Sequence, residues 1–405
     1  MSNVKSLKDC CEFQEGYVNP SQKDASYFGG NIKWLRASDL NGGHVYNTER
    51  TLSEKGYKSA GKSAKLFKKG TLAISKSGTI GALGILEDEM CGNRAVINIS
   101  VDKNKADIKY VFYTLKYKKE ELVSKAGGSI QKNLYVSALE TLGLNHGRID
   151  EQRRISRVLS ALDNKIELNN RINAELEAMA KTLYDYWFVQ FDFPDANGKP
   201  YKTSGGKMVY NQTLKREIPE GWSDKTLSQI ANITMGQSPE GSSYNEEGVG
   251  TIFYQGSTDF GWLFPTTRQY TTAPSRMAKK GDILLSVRAP VGDMNIANTD
   301  CCIGRGLAAL NSKTGSDGFL FYVMKYFKQI FDRRNSEGTT FGSITKNDLH
   351  SLTLAYPTPD LLKKYDEIVT DYNKMIFERS LENRELVSLR DWLLPMLMNG
   401  QVTVR

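Results

Sequence analysis

The sequence predicts an α+β protein built twice over: two similar domains of mixed β-sheet and helices, joined by two long antiparallel coiled-coil helices and related by an internal pseudo-two-fold repeat. Three observations carry this expectation. The halves of the chain repeat each other at a shift of about 210 residues, each half opens with short β-rich runs, and each half closes on one long amphipathic segment.

The repeat is nearly gap-free. The string "KKGTLAISKSGTIGALGILEDEMCGNRAVINI" (68–99) lies over "KKGDILLSVRAPVGDMNIANTDCCIGRGLAAL" (279–310), pairing Lys68, Lys69, Gly70, Ser75, Gly81, Ile85, Cys91 and Arg94 with identical residues 211 positions on. "FYTLKYKK" at Phe112 lies over "FYVMKYFK" at Phe321, and "GSIQKN" at Gly128 over "GSITKN" at Gly342. Near the start of each half Leu7, Gly16, Gly30, Ile32 and Asp39 meet Leu227, Gly236, Gly250, Ile252 and Asp259. A duplicated chain implies two similar domains with two similar tasks.

Within each half, "TLAIS", "AVINIS", "DILLSV" and "LAAL" alternate with Gly, Asn and Ser turns and precede one aromatic-rich helical run, the pattern of an α+β domain. The helix signals follow at 150–188 and 360–398, the second announced by Pro357 and Pro359. Apolar residues recur at three- and four-residue steps, from Ile155 through Leu159 and Leu162 to Leu183 and Trp187, and from Tyr365 through Val369 to Leu393 and Leu397. A 38-residue helix of this kind is roughly 57 Å long, more than a small domain uses internally. The expected arrangement is an antiparallel pair forming a strut with a β-rich domain at each end, against two unrelated helices each packed on its own domain. Between the halves, residues 191–222 are rich in Gly, Pro, Asn and Lys and read as a connector.

Composition bounds the partners. The chain has 405 residues, 40% apolar and 25% charged, with mean hydropathy −0.45, ordinary values for a soluble protein of two or three domains. No apolar run approaches a membrane span, and "MSNVKSLKDCCEFQEG" lacks a signal peptide's apolar centre, so a cytoplasmic protein is expected. Five cysteines without C-x-x-C spacing and three scattered histidines point to reduced thiols and no metal site. The net charge of +8 permits contact with a polyanion. Lysines cluster between Lys55 and Lys69, where no acid intervenes, and again, mixed with aromatics, between Lys103 and Lys125.

Inside the first cluster, "GYKSAGKS" (56–63) fits the phosphate-loop pattern letter for letter. Its polar approach, the Gly70 interruption soon after it, and the absence of the pattern from the second half ("TTRQYTTA") favour a basic surface loop. The rival readings are a small nucleotide hydrolase using Lys62 and a twin-headed scaffold that binds proteins. No Pro-Pro pair or dinucleotide loop is present, and "DIK" (107–109) and "DNK" (163–165) lack the upstream acid that a nuclease metal needs. Both are read as surface charges, and no catalysis and no cofactor are expected.

The string from "RRISRVLSALDNKIELNN" through "GGKMVYNQTLKREIPEGW", with "MGQSPEGSSYNEEGVGTIFYQGSTDF", "KKGDILLSVRAPVGD" and "CIGRGLAAL", resembles the specificity (S) subunits of type I restriction-modification systems, HsdS-like, over essentially the whole chain. That resemblance implies target-recognition domains at 1–147 and 222–357, long helices at 148–190 and 358–405, and a connector at 191–221. It implies that each recognition domain reads one half of a split site in double-stranded DNA. The helices would set the spacing and dock two modification (methyltransferase) subunits, with room for restriction (nuclease/translocase) subunits.

Base edges are read by Arg, Lys, Asn, Gln and aromatic groups, phosphates by Lys, Ser, Thr and backbone N–H groups. The candidates for positioning in the first domain are Lys62, Lys65, Lys76, Ser129, Gln131, Lys132 and Asn133, and for base contact Trp34, Arg36 and Arg94. In the second domain they are Tyr254, Gln255, Arg288, Arg305, Lys346 and Asn347, with Trp262, Arg268 and Arg276 from variable loops. Residues common to both halves should hold structure or phosphate, because domains that read different sequences must differ where they touch bases.

Overall fold

The computed structural model describes residues 5–127, 132–145, 148–336 and 343–404. The chain divides into two compact units, one of residues 1–168 with 382–405 and the other of residues 169–381. The divisions fall inside both long helices, Ile149–Tyr184 and Pro359–Met398.

In the first unit a five-stranded sheet runs Cys11–Glu15, Val96–Val101, Leu72–Ser75, Leu83–Leu86, His44–Val45, and a three-stranded sheet runs Thr51–Leu52, Phe28–Leu35, Met90–Gly92. The second unit has a four-stranded sheet, Ala231–Met235, Leu307–Ser312, Ile283–Ser286, Met294–Ile296, and a further sheet in which Thr251–Tyr254 lies between Tyr270–Thr271 and Cys301–Ile303. The repeat is reproduced residue for residue in strand register. Leu72 faces Ile99 and Ser75 faces Val96, as Ile283 faces Leu310 and Ser286 faces Leu307.

The central strands show why apolar runs without polar alternation form here. Successive side chains point to opposite faces, so a strand buried on both faces must be apolar throughout. Leu72 and Ile74 enter the core that contains Tyr110 and Val111, while Ala73 enters a second core with Leu35, Leu86 and Met90. In the other unit Ile283 and Leu285 point one way and Leu284 the other. Each fully buried side chain of this size contributes about 1.5–3 kcal/mol.

Both long helices supply the larger core of each unit. In the first, Ile155 and Leu159 join Leu394, Leu397 and Met398; in the second, Tyr184, Trp187 and Phe188 join Tyr365, Val369 and Ile376. In each unit the two helical segments run antiparallel, as Asp163–Arg390 with Lys165–Glu382 and Asn173–Ser380 with Ala180–Tyr365 show. The first helix ends in a π turn, Asp185–Val189, that turns Trp187 and Phe188 into the core. The connector is folded: Met208–Asn211 pairs with Arg216–Pro219 in a hairpin, and Phe191, Ile218 and Trp222 are core residues.

One expectation is corrected here. Asp163 is not a surface charge: its carboxylate accepts from the Tyr113 hydroxyl at 2.7 Å and from Arg390 Nη1 at 2.8 Å. Burial, then the Asp163 charge, pushes the Tyr113 hydroxyl above the ordinary tyrosine range. Burial opposes the Arg390 charge, but bonds to Asp163 and Asp391 outweigh it and hold its pKa up. Among the described residues no helix is long and apolar enough to cross a membrane. All five cysteines are buried and free.

Replacing Asp163 with Ala strands the Tyr113 hydroxyl and leaves the Arg390 guanidinium with Asp391 alone. The expected cost is about 2 kcal/mol, read in thermal unfolding as a fall of roughly 5 °C in the melting of the first unit.

Candidate nucleic-acid interface

At one end of the sheets in each unit, four segments meet through the same main-chain hydrogen bonds. Gly16 N donates to Val96 O at 2.9 Å, as Gly236 N does to Leu307 O at 2.9 Å. Asn93 N to Leu35 O (2.9 Å) corresponds to Gly304 N to Tyr254 O (2.8 Å), and Lys76 N to Ala95 O (2.8 Å) to Val287 N to Gly306 O (2.9 Å). Leu134 N to Lys76 O and Ile344 N to Val287 O close both sets at 2.8 Å. Two glycines common to the repeat make this approach possible. A Cβ on Gly16 would lie 2.1 Å from Asn93 O, and one on Gly236 2.2 Å from Gly304 O.

The side chains on this frame differ between units. In the first, Lys76 Nζ is held by Glu15 at 2.7 Å and Lys65 Nζ by Gln14 at 2.8 Å, so two expected phosphate-binding lysines are tied to the strand Cys11–Glu15. Arg36 pairs with Glu49 at 2.5 Å and lies 3.6 Å from Asp39. Arg94, Lys62 and Lys132 are exposed, whereas Asn133 exchanges main-chain bonds with Gly127. Ser129 and Gln131 lie outside the described residues.

In the second unit Gln255, Arg276, Arg288 and Arg305 are exposed beside one another's main chains: Gly306 N donates to Gln255 O, Arg305 N to Ser238 Oγ, and Ile303 N to Arg276 O. Lys346 and Asn347 open a short helix, Lys346–Ser351, whose N-cap Thr345 bonds reciprocally with Asp348. The Thr345 hydroxyl, then its main-chain N–H, lowers the Asp348 pKa. Arg268 is held by Asp259 at 2.9 Å, and that bond, reinforced by the Asp259 charge, raises the Arg268 pKa. Trp262, 54% exposed, stands apart over an open cavity of about 550 Å³ shared with Phe260, Asn295 and Lys328.

Two candidates are corrected. Trp34 is 2% exposed, its indole donating to Val18 O at 2.8 Å, and Tyr254 is 0% exposed with its hydroxyl 3.2 Å from Thr267 Oγ1. Both fill cores: Trp34 and Leu35, like Phe253 and Tyr254, point to opposite faces and are all buried, so both faces of these strand ends are covered and neither ring is offered to a ligand. Tyr17, 46% exposed directly after Gly16, was missed. Its signal was its place beside a glycine common to both halves, opposite Gln237. The "GYKSAGKS" segment is a helix, Glu54–Lys58, and a separate turn, Gly61–Ser63, entered from a two-residue strand, Thr51–Leu52. A strand–loop–helix phosphate cradle is not formed. Among the described residues no group of His, Cys, Asp or Glu could hold a metal ion.

The model of the type I restriction modification DNA specificity domain matches residues 2–178 and 219–382. The chain belongs to that family. It is 32% identical over 311 residues, 75% of this chain and 70% of the relative, to the putative type I restriction enzyme MjaX specificity subunit of Methanocaldococcus jannaschii. It is 28% identical over 428 residues, 99% of this chain and 94% of the relative, to the type I restriction enzyme MjaIX specificity subunit of the same organism. The crystal structure of a type I restriction-modification system S subunit from M. genitalium shares the fold, with a TM-score of 0.58 at 18% identity, covering 98% of this chain and 96% of that one.

The glycine approach is testable without a ligand. Gly16→Ala should destabilise the first unit by about 3 kcal/mol or more, shown by urea unfolding in which the transition of the second unit keeps its midpoint.

Proposed function

We propose that this chain is the DNA sequence-specificity subunit of a type I restriction-modification complex, binding a bipartite DNA site with one recognition domain per half-site and docking two modification subunits through its long helices. The observation that carries the reading is the shared main-chain frame clothed in different exposed side chains. One scaffold used twice with different polar groups suits two different half-sites. The exposed cations Lys62, Arg94 and Lys132 on one frame, and Arg276, Arg288, Arg305 and Lys346 on the other, supply the phosphate attraction that such binding needs.

The helices support the docking half of the proposal. In the second unit Met179 and Ile368 are exposed in an apolar groove with Ala178, Leu183 and Tyr372. On the other helix, Leu389, at the position related by the repeat to Met179, and Trp392 are exposed in the first unit. Large apolar side chains left open on otherwise polar helices are a cost in isolation and a gain under a partner.

Lys346→Ala should weaken binding to all sequences alike and reduce the salt slope by about one, measured by titration at several salt concentrations; a change in preferred bases would contradict its phosphate role. Met179→Asp with Trp392→Asp should abolish co-purification with the modification subunit and leave the melting profile unchanged. Expression with the cognate modification subunit in a host lacking both should add one split, adenine-methylated motif that is absent without this chain.

A further inference from the structure

The shared frame singles out one reading position. Tyr254 lies opposite Ile303 in a parallel pair, and Leu35 lies opposite Gly92 in the corresponding pair. The next residues, Gln255 and Arg36, therefore occupy the same place, one step beyond the strand that ends the frame. The main chain at Gln255 is clamped. Its carbonyl accepts from Gly306 N at 3.2 Å, and a Cβ added to Gly304 or Gly306 would lie 2.9 or 2.7 Å from it. Its side chain is exposed, and Arg305, also exposed, stands between the two glycines.

Such a position is fixed in its main chain and open at its tip. Arg36 follows its strand at the same step with a different tip and a different hold: its carbonyl accepts from Asp39 N at 3.0 Å, and its partly buried guanidinium lies 5.9 Å from the Trp34 ring, braced by Asp39 and by Glu49, whose side chain is largely exposed and easily exchanged for another acceptor.

We propose that Gln255 reads an adenine in the half-site of the second domain and that Arg36, at the same place in the first, reads a guanine. A glutamine amide presents one acceptor and one donor side by side, the complement of adenine N6–H and N7 in the major groove; a guanidinium presents two donors, the complement of guanine O6 and N7. The exposed arginine next to each, Arg305 and Arg94, is common to both units and serves phosphate, which is the same in every sequence. The inference rests on the reading of both domains as DNA-binding.

The test is selection from random-sequence duplex DNA by the complex of the full chain with its modification subunit, using wild type, Gln255→Arg, Gln255→Ala and Arg36→Gln, each first matched to wild type in thermal unfolding. The wild type should select a split motif. Gln255→Arg should convert one A·T pair in one half-site to G·C, with a change in preference of about tenfold or more, and Gln255→Ala should flatten the preference at that same pair. Arg36→Gln should convert one G·C pair to A·T in the other half-site only. An unchanged motif in the Gln255 and Arg36 variants, or changes at pairs other than these, overturns the inference and leaves the proposed function standing. If Gln255→Arg selects nothing, Gln255→Ala decides: loss of preference at one A·T pair supports the assignment, and an unaltered motif overturns it. Failure of the wild-type complex to select any split motif removes the DNA reading and this inference together.

Discussion

Burial of the central strands against both long helices is the constraint on which the rest of the structure depends. Leu72 and Ile74 in one unit, and Ile283 and Leu285 in the other, need a cover on their helix-side face, and the cover is completed by segments drawn from Ile149–Tyr184 and Pro359–Met398 alike. Neither helix serves one domain alone. Each compact unit takes the start of one and the end of the other, which is why the division of the chain crosses both. The sequence-based division at residues 147 and 357 separates elements that share a core.

With that core fixed, the loops at the sheet ends are held by main-chain bonds that do not depend on side-chain identity. Gly16 and Gly236 allow the closest approaches, and the bonds around them match between units to within about 0.1 Å. A scaffold of this kind can change its outer side chains without refolding, as the exposed pair Tyr17 against Gln237 and the partly buried Arg36 against the exposed Gln255 show. On the proposed function a division of labour follows: shared residues would hold structure or meet what all DNA has in common, and differing residues would be free to distinguish.

Legibility varied by residue. The shared glycines and the long helices were readable because they follow from local pattern and from the repeat. Trp34 and Tyr254 were singled out because residue type favours base contact, whereas both faces of their strand ends are covered, as the burial of Leu35 and Phe253 beside them shows. Asp163 looked like one surface charge among many on a polar helix; its partners, Tyr113 and Arg390, are 50 and 227 residues away. Lys76 and Lys65 counted as phosphate-binding candidates, but Glu15 and Gln14, 61 and 51 residues earlier on the strand Cys11–Glu15, bind them. The Gly- and Pro-rich stretch read as a connector, and only the structure shows that its Ile218 and Trp222 anchor it in a core.

By itself the sequence determined that this protein has two like domains and that a pair of long amphipathic helices closes the halves. These depend on periodicity, composition and repetition, which act along the chain. Only the tertiary structure decided which polar groups are neutralised, which aromatics are buried, and that Arg36 and Gln255 share one place. Those depend on which strands become neighbours, and a residue's partners across a sheet are fixed by long-range burial and register, not by the residues on either side of it.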